Sequence, residues 1–439
     1  MSFVDNPLFN KFLSNHVLKF IGAGVNFLLI ALIARTTNPD ILGEFTTVYA
    51  LTILISSLAF WGMSDGLILL KVHFKLNELI LYSLIIIFIN GMISFLLILL
   101  NFQNFYLYTN LFMAFTVISI LFINLYSSIL RILGKYTASI YFNSIQDKII
   151  CILSLIYFYF KNGELSIINV LNCYFFSLII SFFICVSFSI YFYKKTIGVS
   201  KYKIKNFSKI SFIYKHNSPL VISDLVNNFA GTIDILILNN FLPYSQIASY
   251  KVASAFAKLV KISLSSFSNY MLPELTLMIQ NKSQKTKDYI TNNYNYIFLS
   301  TIIITLFIAL FGETIIISVY GVDYTESFSF LLILLIGFSY NNLSGPNGTI
   351  LLSFNKKQLL LKIDVISALF GTVLLYVFTM FFSVWGSIIA NVIMLLLYNS
   401  LKSIFVINEI SYYQIILRKI FNYWLILSIL ILLIFFYYV

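Results

Sequence analysis

The chain has 439 residues, of which 60% are hydrophobic and only 10% charged, with a formal net charge of +12 and a mean hydropathy of +0.93. A soluble globule carries about a quarter charged residues, so this composition excludes one and requires a polytopic membrane protein. Cys151, Cys173 and Cys185 fall inside apolar runs, where they read as packed thiols, and His16, His73 and His216 lie outside those runs, so neither a disulfide framework, a metal nor a cofactor is expected.

The first 16 residues contain Asp5, Asn6, Lys11 and His16 and no short apolar core ending at a small-residue cleavage site, so the first span is expected to act as the insertion signal. Apolar runs long enough to cross a bilayer follow at 17–35, 45–70, 79–100, 108–130, 140–160 and 167–192. After a polar break come 218–240, 246–270, 291–312, 328–353, 359–382 and 384–404, then a last run at 421–439. Their uninterrupted length predicts helices, since a barrel strand needs only about 9 to 11 alternating residues. The fold class read here is all-α, with a six-helix block over 1–192, a basic linker over 193–217, a second six-helix block over 218–404, and an amphipathic segment with an extra helix over 405–439. That last helix either spans the membrane or lies against it as a re-entrant or lipid-flanking element.

Basic residues concentrate in cytoplasmic loops. With the N-terminus cytoplasmic, almost all Lys and Arg fall inside, only Arg35 and Lys161 fall outside, and Lys148, Lys251, Lys258 and Lys261 lie within spans. The linker carries Lys194, Lys195, Lys201, Lys203, Lys205, Lys209 and Lys215 with no acid. It reads as a solvated cytoplasmic segment attracted to anionic lipid, at about 1 kcal/mol per base near the surface, or as a dock for an acidic cytoplasmic partner.

Charges inside the spans are the candidate functional residues, because each costs roughly 2.5 to 3.5 kcal/mol near the bilayer centre. The seventh and eighth spans hold five: Asp224, Asp234, Lys251, Lys258 and Lys261. At 100° per residue the three lysines fall within one face roughly 80° wide. By depth, Asp234 should neutralise Lys251, and Asp224 could do the same for Lys261, leaving Lys258 without an acid at its level; alternatively Lys251 and Lys261 snorkel to the two surfaces. Asp147 and Lys148 are neighbours on the fifth span, so their side chains should diverge by about 100° and one should bond another helix. Gly22, Gly24 and Asn26 permit close helix approach, and Gly345–Pro346 in LSGPNG should break the tenth span, with neighbours satisfying the freed carbonyls.

Three stretches carry a family resemblance: LIARTTNPDILGEFTTVYALTILISSLAFWGMSDGL, SPLVISDLVNNFAGTIDILILNNFLPYSQIASYKVASAFAKL, and VYGVDYTESFSFLLILLIGFSYNNLSGPNGTILLSFNKKQLLLKI. They resemble the O-antigen and capsule repeat-unit flippases (Wzx type), within the superfamily of multidrug, oligosaccharidyl-lipid and polysaccharide exporters. The resemblance implies two six-helix bundles related by a pseudo-two-fold axis around a central cleft that opens alternately to each side, and a non-enzymatic function in the bacterial cytoplasmic (inner) membrane. Its cargo would be a polyprenyl-diphosphate-linked oligosaccharide; membrane lipid, the polymerase and the chain-length machinery of the same pathway are implied as partners, and nucleic acid is not. On that reading Lys258, with Lys251 and Lys261, receives the diphosphate. Arg35 could receive it at the exit, bind lipid headgroups, or hold the acidic turn at Asp40 and Glu44. Asp65 matches the family pattern and could equally brace a helix end. Asp224 or Asp234 could bind a proton or Na⁺, or the membrane potential alone could drive the cycle, at roughly 2.3 kcal/mol per charge per 100 mV. The alternatives are a multidrug exporter of the same superfamily, for which a lysine row is repulsive, and an O-antigen polymerase or membrane glycosyltransferase, which should present a large outer loop that this sequence lacks.

Overall fold

The computed structural model describes the backbone of residues 7–71, 74–101, 107–197, 208–281, 283, 285–410 and 413–438, and among these residues it contains helices and turns but no strand. Residues 198–207 of the expected linker, with Lys201, Lys203 and Lys205, lie outside the described residues, as does Val439. The chain packs as two compact helical units, 1–232 and 233–439.

The first unit is built from α1 (Pro7–Thr36), α2 (Pro39–Phe60), α3 (Met63–Leu70), α4 (Leu76–Asn101), α5 (Leu107–Ile132), α6 (Tyr136–Ser144), α7 (Gln146–Asn162), α8 (Ile167–Ile197) and most of α9 (Ser208–Leu238). Its core is α5, whose Met113, Val117, Leu121 and Leu125, spaced one helical turn apart, are fully buried. Asn38 starts α2 by accepting a hydrogen bond from the Ile41 N–H at 2.9 Å, with Pro39 pre-set for the first turn. Two successive left-handed residues, Trp61 and Gly62, then end it, so the second expected span arrives as α2 plus α3. The corner is made by α9: a side chain on Gly62 would lie 2.9 Å from Leu220 Cβ, and Trp61 Nε1 donates to the Tyr214 carbonyl at 3.2 Å. Asn90 of α4 completes it, accepting from Tyr214 Oη at 2.6 Å and donating to the Ala59 carbonyl at 2.7 Å. These contacts hold the first part of α9 in the first unit, so packing divides the chain within α9, further along than the polar segment. Of the expected small-residue cluster, Gly22 does meet another helix, with Ser144 3.2 Å from where its side chain would begin, while Gly24 faces open space.

The second unit comprises the end of α9, α10 (Tyr244–Leu259), α11 (Lys261–Gln280), α12 (Thr286–Val319), a 3-10 turn at Val322–Tyr324, α13 (Glu326–Leu343), α14 (Asn347–Ser353), α15 (Lys357–Glu409) and α16 (Tyr413–Tyr438). Its core is α13, with Phe330, Leu331, Leu332 and Leu335 fully buried. The helical run of α15 is a hairpin rather than a rod, because Ser383 takes non-helical torsions (φ 55°, ψ −139°). Asp364 and Tyr398 are 34 residues apart and hydrogen-bonded at 2.9 Å, whereas a continuous helix would separate them by about 50 Å. The arms meet so closely at the turn that a side chain on Gly386 would overlap the Phe378 carbonyl. The turn at Ser383 falls between the expected spans 359–382 and 384–404. α16 packs along α13, where Trp424 Nε1 donates to the Ile336 carbonyl at 3.1 Å.

Among the described residues nine segments are long and apolar enough to cross a membrane, counting α15 as one, and α1 contributes a shorter apolar run. α9, α10 and α11 fall outside that set. They are the helices that carry Asp224, Asp234, Lys251, Lys258 and Lys261. The chain is thus a multi-pass helical membrane protein.

Candidate functional site

Each unit contains a polar centre. In the first, α2, α3 and α5 to α9 surround a cavity of about 290 Å³. Its charged lining is Asp147 and Lys148 from the start of α7 and Asp224 from α9. Asp147 and Lys148 do not diverge as helical spacing suggested: Lys148 Nζ lies 3.5 Å from Asp147 Oδ1. The cause is a break at Ile145, between α6 and α7. Lys148 folds back to donate to the freed Ser144 carbonyl at 3.1 Å, which brings its ammonium beside the carboxylate. The rest of the lining mixes aromatic and neutral polar residues, among them Tyr49, Phe60, Asn124, Phe142 and Tyr174, with the aliphatic Ile53, Ile120, Ile123 and Leu178. Hydroxyls and amides carry no formal charge, so these residues do not stand out in the sequence as costly to bury. Their signal was periodicity: Tyr49, Ile53, Ser56 and Phe60 recur on one face of α2. Ser64 of α3 accepts from Arg131 Nη2 at 2.8 Å, which ties the end of α5 to the cavity wall.

In the second unit the expected pairing of Asp234 with Lys251 is not made. Asp234 is buried, and its Oδ2 accepts from Tyr250 Oη at 2.7 Å while its Oδ1 accepts from the Ile235 N–H at 2.9 Å. Tyr250 Oη in turn accepts from Asn391 Nδ2 at 2.6 Å. Helix rotation decides which group meets the carboxylate. The phenol one residue before Lys251 points about 100° away from it on the helix, and it is the group that reaches the carboxylate.

Lys251 lies within electrostatic reach of Lys258 and also of Asp234, and Lys258 within reach of Lys261, so the three lysines form a continuous row with one carboxylate near its start. Lys251 and Lys258 are half-buried and Lys261 is exposed. No carboxylate among the described residues is within ion-pair distance of any of them. The helix carrying them is interrupted at Val260, which sequence reasoning missed. Asn342 of α13, fully buried, donates to the Val260 carbonyl at 2.7 Å and also contacts Ser263 Oγ at 2.8 Å and Thr301 Oγ1 at 2.9 Å. Beyond Lys261 the row continues to Lys402 on the second arm of α15. Lys402 is paired with Asp364 on the first arm at 3.1 Å.

Gly345 and Pro346 break the tenth span into α13 and α14, with Gly345 at φ +81°. The freed carbonyls are met as expected: Tyr294 Oη donates to Leu343 O at 2.5 Å and Tyr413 Oη to Ser344 O at 3.0 Å. Arg35 is exposed in the last turn of α1, where a cation suits the helix dipole. Asp65 sits within α3, and its side chain lies outside the described residues.

No family model and no curated protein sequence matches the chain. In three dimensions it is similar to a multidrug resistance MATE family transporter of the MOP superfamily in an inward-facing conformation, with TM-score 0.69 and 12% identity over 89% of this chain and 95% of that one. It is similar also to lipid II flippase MurJ in an inward closed conformation, with TM-score 0.66 and 14% identity over 97% of each chain. A MOP superfamily transporter from Pyrococcus furiosus, described by the reverse polarity of its binding pocket, gives TM-score 0.57 and 13% identity over 92% of this chain and 96% of that one. The chain therefore has the fold of the MOP superfamily, and these neighbours are transporters rather than enzymes.

Proposed function

We propose that the chain is a flippase that carries polyprenyl-diphosphate-linked oligosaccharide repeat units from the cytoplasmic to the outer leaflet of the bacterial inner membrane, with its N-terminus in the cytoplasm. The observation that carries this reading is the row Lys251, Lys258, Lys261 in the polar helices α10 and α11, with no carboxylate among the described residues in ion-pair distance. Asp234 acts on Lys251 electrostatically, but one carboxylate does not balance three lysines, and the surplus positive charge favours an anionic ligand. A diphosphate supplies that charge, and a lipid flippase shares the fold over 97% of both chains. Lys258 lies between Lys251 and Lys261 in the row and is the residue on which the diphosphate would centre.

Deleting the gene should cause complete lipid-linked repeat units to accumulate on the cytoplasmic face and surface polymer to disappear. Wild type should restore export, and Lys258→Ala protein made at equal level should not. Export by both Lys258→Ala and Lys258→Arg at wild-type rates would refute the diphosphate role.

A second reading has its own support. The first unit's cavity combines aromatic rings with Asp147 and Asp224, a lining that suits apolar cations, and the MATE neighbour is a multidrug transporter. Intact surface glycan with raised drug sensitivity in the deletion strain would favour it.

A further inference from the structure

The cavity of the first unit is not accounted for by a diphosphate. Two carboxylates, Asp147 and Asp224, line it, against one lysine that already lies 3.5 Å from Asp147. That lining holds no surplus of cations for a phosphate. What the cavity offers instead is neutral hydrogen bonding. The Asn124 and Asn143 amides and the Tyr49 and Tyr174 hydroxyls all border it, and none has a protein hydrogen-bond partner among the described residues. Tyr174 is buried, Tyr49 and Asn124 are half-buried and Asn143 is exposed, so the four groups are placed to exchange hydrogen bonds with an occupant that both donates and accepts. Phe60 and Phe142 are both buried and supply apolar walls beside those groups. Amides and carboxylates that grip hydroxyls, set beside ring faces that cover C–H surfaces, are the complement of a sugar. About 290 Å³ is at the lower end of ligand pockets and has room for one or two pyranose rings.

We infer that this cavity is a saccharide subsite, binding an uncharged sugar of the cargo's oligosaccharide through Asn124, Asn143, Tyr49 and Tyr174. The inference rests on the flippase reading for the identity of the cargo, but its chemistry and its residues are separate from the lysine row. Sugar recognition would then be built into the first unit, and a change of repeat-unit composition would be matched by changes at these four positions rather than on α10.

The test uses the full chain in lipid nanodiscs and saturation-transfer NMR, which detects millimolar binding. The probes are the methyl glycosides of glucose, galactose, rhamnose and N-acetylglucosamine, with sodium pyrophosphate and tetraphenylphosphonium run separately. At least one glycoside should bind saturably, and Asn124→Ala and Tyr174→Phe should each weaken it roughly two- to tenfold, as expected for one lost neutral hydrogen bond. Tyr174→Phe keeps the ring and its packing, so its effect is separated from misfolding. The subsite is wrong if no glycoside binds, or if binding survives both substitutions unchanged. It is also wrong if tetraphenylphosphonium binds in place of the glycosides and is lost in Asp147→Asn. Pyrophosphate reports on the other half: binding that vanishes in Lys258→Ala supports the flippase reading even when no glycoside binds, and glycoside binding without any pyrophosphate binding sinks the diphosphate role while leaving the subsite standing.

Discussion

Removing one partner of the Asp364–Lys402 pair should destabilise the second unit far more than removing both. The ammonium and carboxylate are 3.1 Å apart, with side-chain exposures of 9% for Lys402 and 21% for Asp364. Lys402 also stands over the Tyr398 ring, 3.6 Å from its centroid, and Tyr398 Oη donates to Asp364. Stripping a buried pair of one member costs about 3 to 5 kcal/mol, because the survivor stays charged and desolvated, whereas replacing both by apolar side chains of similar size is often neutral. The partial exposure of Asp364 sets the expectation at the lower end, about 3 kcal/mol for Asp364→Leu and a similar loss for Lys402→Met. The double variant Asp364→Leu/Lys402→Met should fall within about 1 kcal/mol of wild type, giving a coupling energy of about 5 kcal/mol. Reversible unfolding in mixed micelles, followed by tryptophan fluorescence, measures it, since Trp385 and Trp424 both lie in the second unit. Additive single and double losses, with coupling below about 0.5 kcal/mol, would refute the idea that the pair clamps the two arms of α15.

Three further outcomes follow from the geometry. Gly386→Ala would place a methyl 1.9 Å from the Phe378 carbonyl oxygen, so it should abolish accumulation of folded protein, read by fluorescence-detected size exclusion. Asn342→Leu removes the donor to the Val260 carbonyl at 2.7 Å and should cost about 1 to 3 kcal/mol, measured by the same unfolding titration; wild-type stability would mean that the interruption of α10 and α11 does not depend on this bond. Glu78 accepts from Lys209 at 2.7 Å, which holds the lysine above its ordinary value. A raised lysine value means the contribution is complete below the unfolded lysine range and fades only as pH rises through the folded value. Glu78→Gln should therefore change little in melting temperature between neutral and mildly alkaline pH, and narrow its difference from wild type only at strongly alkaline pH.

Much of this fold was legible because membrane thickness imposes its own ruler. Uninterrupted apolar runs located the helices, and the Gly345–Pro346 break announced itself because glycine takes the positive φ and proline has no N–H to lose. The break at Val260 had no such marker. A valine with helical torsions (φ −55°, ψ −35°) looks ordinary in sequence, and its carbonyl is drawn away by Asn342, 82 positions later. Ile145 is equally silent. The candidate charges were legible as costly residues, but their partners were not. Pairing depends on helix rotation and on the reach of each stem, which is why Tyr250 rather than Lys251 meets Asp234, and why Lys148 folds back onto its own neighbour. The Asp364–Lys402 contact joins two spans whose register becomes fixed only once the chain turns at Ser383.

That turn also constrains how the protein is made. Phe382 and Val384 belong to opposite arms with only Ser383 at the reversal, so no hydrophilic loop separates the two arms. A reversal this short lets them enter the lipid as one helical hairpin.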